Sequence, residues 1–261
     1  MGQNDERPAP GGNPTGEPII LLPGIIMPAA LRYAPLLEHL GDAANAIVKD
    51  LEVYAGETPP SGYSIDLEVE GVSRAADEAG FERFHLYGHS AGGACAIAYA
   101  AVEGERILSL ALDEPASDFS DEVRAELGEK LARLEAMPRS EQMRGFVQMQ
   151  LAPGVEPPPP PPGPPPEWMK KRPAGIDAFT EALQRHRIDV SALSEFSGPV
   201  YYSFGSLSNP SWKRMRDRLA ELFPKFTAEE YKGLHHFNTS HAAEPARVAQ
   251  ALRQLWDRSR S

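Results

Sequence analysis

Ser90 is the residue best placed for covalent chemistry. It sits at the centre of Gly88-His89-Ser90-Ala91-Gly92. Phe84-His85-Leu86-Tyr87 before it reads as a short buried strand, and the alanine-rich run from Ala91 to Ala100 reads as a packed helix. A serine on so sharp a strand-to-helix turn is held in a strained backbone conformation with its hydroxyl at the strand tip. Gly88, Gly92 and Gly93 remove side chains that would clash there and let helix and strand approach closely. The free N–H groups at the start of the helix favour negative charge in front of them. A serine hydroxyl is a poor nucleophile near neutral pH, so it needs a base. Histidine suits the task, because its unperturbed pKa of about 6.5 lies near working pH.

The chain has seven histidines. His85 falls within the strand, His89 precedes the nucleophile and is expected to point away from it, and His241 reads as a loop residue. The adjacent pair in Gly233-Leu234-His235-His236-Phe237 follows a strand and a glycine turn, a short loop before the last helix. His236 is the better placed of the two and His235 its competitor. A base of this kind needs an orienting partner, usually a carboxylate.

These residues must be positioned by alternating strands and helices. Pro18 to Leu22 reads as a buried strand stopped by Pro23-Gly24, Tyr33 to Leu40 as a helix, and Ala46 to Leu51 as a second strand. Ser64 to Gly80 carries helical spacing and ends at a glycine. Ile107 to Leu112 is a further buried strand. The pattern predicts an α/β fold with a mostly parallel sheet and helices on both faces. The alternation then breaks. Ser120 to Met137, Glu141 to Gln150 and Ile176 to Ile188 read as helices, and between them residues 154–166 hold nine prolines, which no helix accommodates. Alternation resumes with a strand at Pro199 to Phe204, a helix at Trp212 to Leu222, a strand at Phe226 to Tyr231 and a helix at Pro245 to Trp256. The expected organisation is a disordered tail over 1–17, a core over 18–116 and 197–261, and a helical, proline-rich cap over 117–196. The proline run reads as a stiff tether between cap helices, with a ligand for a proline-binding module as the other possibility.

From Pro18 to Trp256 the chain resembles the α/β-hydrolase superfamily, in particular its bacterial single-domain esterase-like members. The resemblance rests on the Gly88–Gly92 elbow, the Leu22-Pro23-Gly24-Ile25 turn, the Leu112-Asp113-Glu114-Pro115-Ala116 strand end, the Gly233–Phe237 segment, and the order nucleophile, acid, histidine. It implies an α/β-hydrolase fold with a helical cap insertion, Ser90 as nucleophile and His236 as base. Most members place an aspartate after the strand that follows the cap, but here Gly205-Ser206-Leu207-Ser208-Asn209-Pro210 holds no acid. The resemblance then points to the end of the preceding strand, a placement used in part of the superfamily, where Glu114 stands directly before Pro115-Ala116 and Asp113 is the alternative. An uncharged Ser208 or Asn209, or a broken triad, would be the remaining readings. The backbone N–H groups of Ala91 and Ile25, with Ile26 next, would form the oxyanion hole. Ile25, Ile26 and Met27 would line the entrance with apolar atoms.

The implied activity is hydrolysis of a carboxylic ester or thioester through an acyl-enzyme. The same elbow serves lyases, cofactor-free peroxidases and acyl transferases, and a non-catalytic ligand binder is the reading furthest from these. A net charge of −11 and a pI near 5.2 argue against nucleic acid as a partner, leaving a small ester-like molecule. No spaced Cys/His set suggests a metal, and no G-x-G-x-x-G after a strand suggests a dinucleotide, so no cofactor is expected. No apolar run approaches the ~20 residues of a membrane span. The single cysteine, Cys95, reads as a packing residue. One cysteine and no signal-peptide pattern suit a cytoplasmic location. Nothing in the sequence sets an oligomeric state.

Overall fold

The computed structural model describes residues 15–116, 121–159 and 162–260. Six strands form one sheet: β1 Glu17–Leu22, β2 Ala44–Val48, β3 Phe84–His89, β4 Ile107–Asp113, β5 Val200–Gly205 and β6 Phe226–Tyr231. Their order is β2-β1-β3-β4-β5-β6, and every neighbouring pair is parallel. Alternate residues of the strands feed two separate cores. Ile20, Leu22 and Leu86 pack with helices α2 (Ile65–Glu78) and α3 (Ala91–Glu103). Ile19, Leu21 and Tyr87 pack with helices α1 (Ala29–Leu40) and α10 (Pro245–Ser259). A sheet buried on both faces needs apolar side chains at successive positions, which is why β1 and β4 are nearly continuous hydrophobic runs.

After β2 the chain returns past β1 to form β3, so the direction of strand order reverses between β1 and β3. Open parallel sheets bind their ligands at such a switch, beyond the carboxyl ends of the strands. Ser90 follows β3 directly, Glu114 follows β4, and the turn carrying Ile25 follows β1.

Between β4 and β5 lie helices α4 (Asp121–Glu135), α5 (Arg139–Gln148), α6 (Arg172–Arg185) and α7 (Val190–Ser194). The segment is tied to the loop after β5. Leu151 bridges Ser208, the Ala152 N–H donates to the Leu207 carbonyl at 2.9 Å, and the Asn209 N–H donates to the Gln150 carbonyl at 2.9 Å. Residues 117–120 and Pro160-Pro161, within the expected cap, and residues 1–14 of the expected tail lie outside the described residues.

Three local readings change. Helix α1 begins at Ala29 rather than Tyr33, because the Asp50 carboxylate accepts the Ala29 N–H at 2.7 Å, a cap 21 residues away along the chain. Asp189 caps the short α7 by accepting from the N–H groups of Ser191 and Ala192. Helix α9 (Ser240–Ala243) occupies what reads as loop before α10. Helix α8 (Ser211–Leu222) and β6 lie where the sequence pattern puts them.

Candidate active site

Ser90 has φ 50° and ψ −117°, backbone that a residue with a side chain adopts only when its surroundings enforce it. Three hydrogen bonds do so. Its N–H donates to the Asp113 carbonyl at 3.0 Å, and its own carbonyl accepts from Ala94 at 3.1 Å and Ala116 at 2.8 Å. The flanking glycines are sterically required. A Cβ on Gly88 would stand 2.4 Å from the Gly92 carbonyl oxygen, and one on Gly92 would stand 2.4 Å from that of Leu22.

The carboxyl end of β4 carries the second strained residue. Glu114 has φ +45°, is 1% exposed, and donates its N–H to the Ser203 carbonyl at 3.1 Å. Its carboxylate is aimed between two donors. Oε1 accepts the Gly205 N–H at 2.7 Å, and Oε2 lies 2.7 Å from His236 Nδ1. His236 Nε2 in turn lies 3.0 Å from Ser90 Oγ. The three groups therefore form a continuous hydrogen-bonded line from a buried carboxylate to a serine hydroxyl. With its Nδ1 proton directed at Glu114, His236 presents an unprotonated Nε2 to the hydroxyl. The indole of Trp212 stacks on the His236 ring, with centroids 5.3 Å apart and planes 2° from parallel.

The other candidates separate from this line. Asp113 is 1% exposed and serves a different imidazole. Its Oδ2 accepts from Ser240 at 2.9 Å and Tyr87 at 3.2 Å and lies 2.7 Å from His241 Nδ1. Burial pushes the Asp113 carboxyl upward, but the His241 and Ser240 hydrogen bonds and the Arg32 charge outweigh it and hold it below the usual range. His241 is a correction to the loop reading: it lies on α9, is fully buried, and burial lowers its pKa to about 4. His235 is half-buried and caps its own turn, its Nδ1 accepting from the N–H groups of Phe237 and Asn238 at 3.2 and 3.3 Å. His89 does not lie clear of the site: its ring packs against those of His236 and His241 at 5.1 and 5.0 Å. Burial and the nearby Arg32 charge keep it neutral far below its ordinary pKa. Asn209 uses its side chain on the Met149 carbonyl and the Ser211 N–H. His85 stays in β3, with Nδ1 2.7 Å from Ser109 Oγ.

A cavity of about 150 Å³ opens above Ser90, with Ile25 and Ala91 in its floor. Ile25 is held there by Tyr54, whose hydroxyl donates to the Ile25 carbonyl at 2.7 Å. The walls are mainly apolar and come largely from the segment between β4 and β5, including Phe146, Ile176, Phe179 and Leu183, with Trp212 and Met215 from α8. Ile26 and Met27 are not among the lining residues, in contrast to the sequence reading. Trp212 carried no sequence signal, since its role depends on a base that arrives from a distant loop.

A profile of the alpha/beta hydrolase fold matches residues 17–142. A thermophilic esterase from Thermogutta terrifontis superposes with a TM-score of 0.69 at 20% identity, over 95% of this chain and 92% of that one. The chain is an α/β-hydrolase-fold protein. A hydrolase from Pseudomonas aeruginosa gives a TM-score of 0.70 at 17% identity, covering 94% of this chain and 91% of the other. A carboxylesterase from Bacillus subtilis gives 0.65 at 18% identity, covering 94% and 85%. The dihydrolipoyllysine-residue acetyltransferase component of the acetoin cleaving system of Cupriavidus necator is 34% identical over 90 residues. Those residues make up 34% of this α/β-hydrolase-fold chain and about a quarter (24%) of that longer relative. No helix of the described residues is long and apolar enough to cross a membrane.

Proposed function

We propose that this α/β-hydrolase-fold protein is a serine hydrolase cleaving a carboxylic ester or thioester, with Ser90, His236 and Glu114 as its triad. The observation that carries the reading is the 2.7 and 3.0 Å line from Glu114 through His236 to Ser90 Oγ at the floor of a mainly apolar cavity. His236 Nε2 takes the Ser90 proton as Oγ attacks the substrate carbonyl. The oxyanion that forms is met by the N–H groups of Ala91, first residue of α3, and Ile25. Glu114 keeps the imidazole in the productive tautomer and stabilises the imidazolium. That imidazolium protonates the leaving alcohol or thiol, and water deacylates the enzyme by the reverse proton path. Helices α4–α6, which wall the cavity, act as the cap. The substrate is a small molecule, with an apolar stretch next to the scissile carbonyl. Cys95, buried and with no disulfide, suits a cytoplasmic protein.

The test is hydrolysis of para-nitrophenyl esters by the wild type and by Ser90→Ala. Turnover by the wild type that falls at least about a thousandfold in the variant is expected. Equal turnover, or none in either, would remove the reading in favour of other chemistry or simple ligand binding in the same cavity.

A further inference from the structure

The turn after β1 is fastened on both sides of one peptide. The Pro23 carbonyl accepts the Gly92 N–H, from the first turn of α3, at 2.9 Å. The Ile25 carbonyl accepts the Tyr54 hydroxyl at 2.7 Å. Between these anchors lies the Gly24–Ile25 peptide, whose N–H is the oxyanion donor proposed above. The first anchor belongs to the elbow itself. The second is a side chain from another segment, 29 positions along the chain.

Tyr54 is in turn gripped by two helices. It ends a short 3-10 turn, Glu52–Tyr54, that follows β2. One grip comes from α2. The buried Glu68 carboxylate accepts the N–H groups of Glu52 and Val53 at 2.8 and 3.1 Å and the Tyr63 hydroxyl at 2.6 Å, which fixes the turn that carries Tyr54. The other grip comes from α6. The guanidinium carbon of Arg172, a residue only 4% exposed, lies 3.8 Å from the centroid of the Tyr54 ring, and a Cβ on Gly175 would overlap that ring. A cation on an aromatic face is held most strongly where water is excluded. Lys171, just before α6, adds a bond from its ammonium to the Gly56 carbonyl at 3.0 Å. Burial raises the Tyr54 hydroxyl to about 12, so it stays protonated and able to donate at working pH. The same helix α6 walls the cavity above Ser90 with Ile176, Phe179 and Leu183.

We propose that Tyr54 is a positioning residue for the oxyanion turn, and that α6 clamps it through Arg172 and Gly175, so that the packing of this helix sets how well the Ile25 N–H meets the developing charge. The proposal rests on Ser90 as the nucleophile and deepens that reading by tying its oxyanion site to the segment that walls the cavity. A complete oxyanion donor is worth about 10² to 10³ in kcat, and a misplacement of about 1 Å is enough to forfeit much of such an effect.

The experiment uses para-nitrophenyl esters and the variants Tyr54→Phe, Arg172→Met and their double. Rates are normalised to active sites counted by the end-point of fluorophosphonate labelling, so a fraction that fails to fold does not enter them. Tyr54→Phe removes the hydroxyl and keeps the ring that Arg172 packs on. It should lower kcat about tenfold with KM changed less than about threefold. An alkyl trifluoromethyl ketone, which Ser90 converts to a tetrahedral oxyanion, should lose affinity by about the factor lost in kcat/KM, a change that a merely structural role would not produce. Arg172→Met should lower kcat roughly threefold in the wild type and leave Tyr54→Phe unchanged, because it acts through the hydroxyl that is already gone. Tyr54→Phe within about twofold of the wild type, ketone affinity that stays constant while kcat falls, or an Arg172→Met loss of equal size in both backgrounds overturns the proposal. A wild type that neither cleaves esters nor takes the fluorophosphonate removes the Ser90 reading and this one with it, an outcome distinct from an active wild type whose Tyr54 variant is equally active.

Discussion

Replacing Glu114 with Gln tests the electrostatic arrangement of the triad with almost no change of shape. Both carboxylate oxygens of Glu114 are acceptors: Oε1 for the Gly205 N–H and Oε2 for His236 Nδ1, each at 2.7 Å. A glutamine amide has one accepting oxygen and one donating nitrogen. With its oxygen toward His236, its NH₂ opposes the Gly205 N–H. With its NH₂ toward His236, Nδ1 must become the acceptor, and the ring proton moves to Nε2, where it faces Ser90 and blocks proton removal. The negative charge that stabilises the imidazolium is lost in either case. Uncharged replacement of a triad acid costs about 10⁴ in kcat, or about 5.5 kcal/mol of transition-state stabilisation. We expect a loss of 10³ to 10⁴, roughly, in kcat for ester hydrolysis, with KM changed less than about threefold, measured under pseudo-first-order conditions. The paired control is Asp113→Asn. Its carboxylate bonds Tyr87, Ser240 and His241 and not His236, so this change should lower the melting temperature while kcat of the folded protein falls less than about tenfold. A Glu114→Gln enzyme within tenfold of the wild type, or an Asp113→Asn enzyme that stays folded but is the more severely impaired, would refute the reasoning.

Acid should destabilise the fold before the carboxylates titrate. Burial lowers both His85 and His241 to about 4, so between about pH 6.5 and 4 the unfolded chain binds protons that the folded chain refuses, and stability falls as pH falls through that window. Each contributes on the order of 2 kcal/mol between pH 7 and pH 5, and urea unfolding at the two pH values should show the midpoint dropping; an unchanged midpoint would contradict the buried neutral assignment. Gly92→Ala places a Cβ 2.4 Å from backbone oxygen, and the resulting shift should cost about 2–3 kcal/mol by thermal or urea unfolding, with loss of turnover as the elbow moves. Trp212→Leu removes the ring stacked on His236 and should lower kcat about ten- to a hundredfold through a looser imidazole, a loss that Trp212→Phe partly restores.

Much of the fold was legible because it rests on local signals. The strands β1, β3, β4 and β5 are mostly apolar since both sheet faces are covered, and the glycines around Ser90 mark a turn with no room for a Cβ at Gly88 or Gly92. The first-choice residues at the site, Ser90, His236 and Glu114, come together in the structure with Ile25 and Ala91 beside them. What stayed hidden was set by distant partners. Asp50 starts α1 four residues early, from the loop after β2. His241 has the sequence surroundings of a loop residue, and only the fold brings Asp113, 128 positions away, to its ring. Asp113 and Glu114 are adjacent carboxylates at one strand end. The positive φ of Glu114 redirects the chain after β4, and the two side chains serve different histidines. Trp212 becomes part of the site only because the loop after β6 lays His236 against it.

The most direct measurement of the central claim is covalent labelling by a fluorophosphonate, followed by peptide mass mapping. The account predicts a single phosphonylated peptide containing Ser90, abolished in Ser90→Ala and slowed by orders of magnitude in His236→Ala. A wild-type protein that is folded yet unlabelled, or a label on another residue that persists in Ser90→Ala, would contradict it.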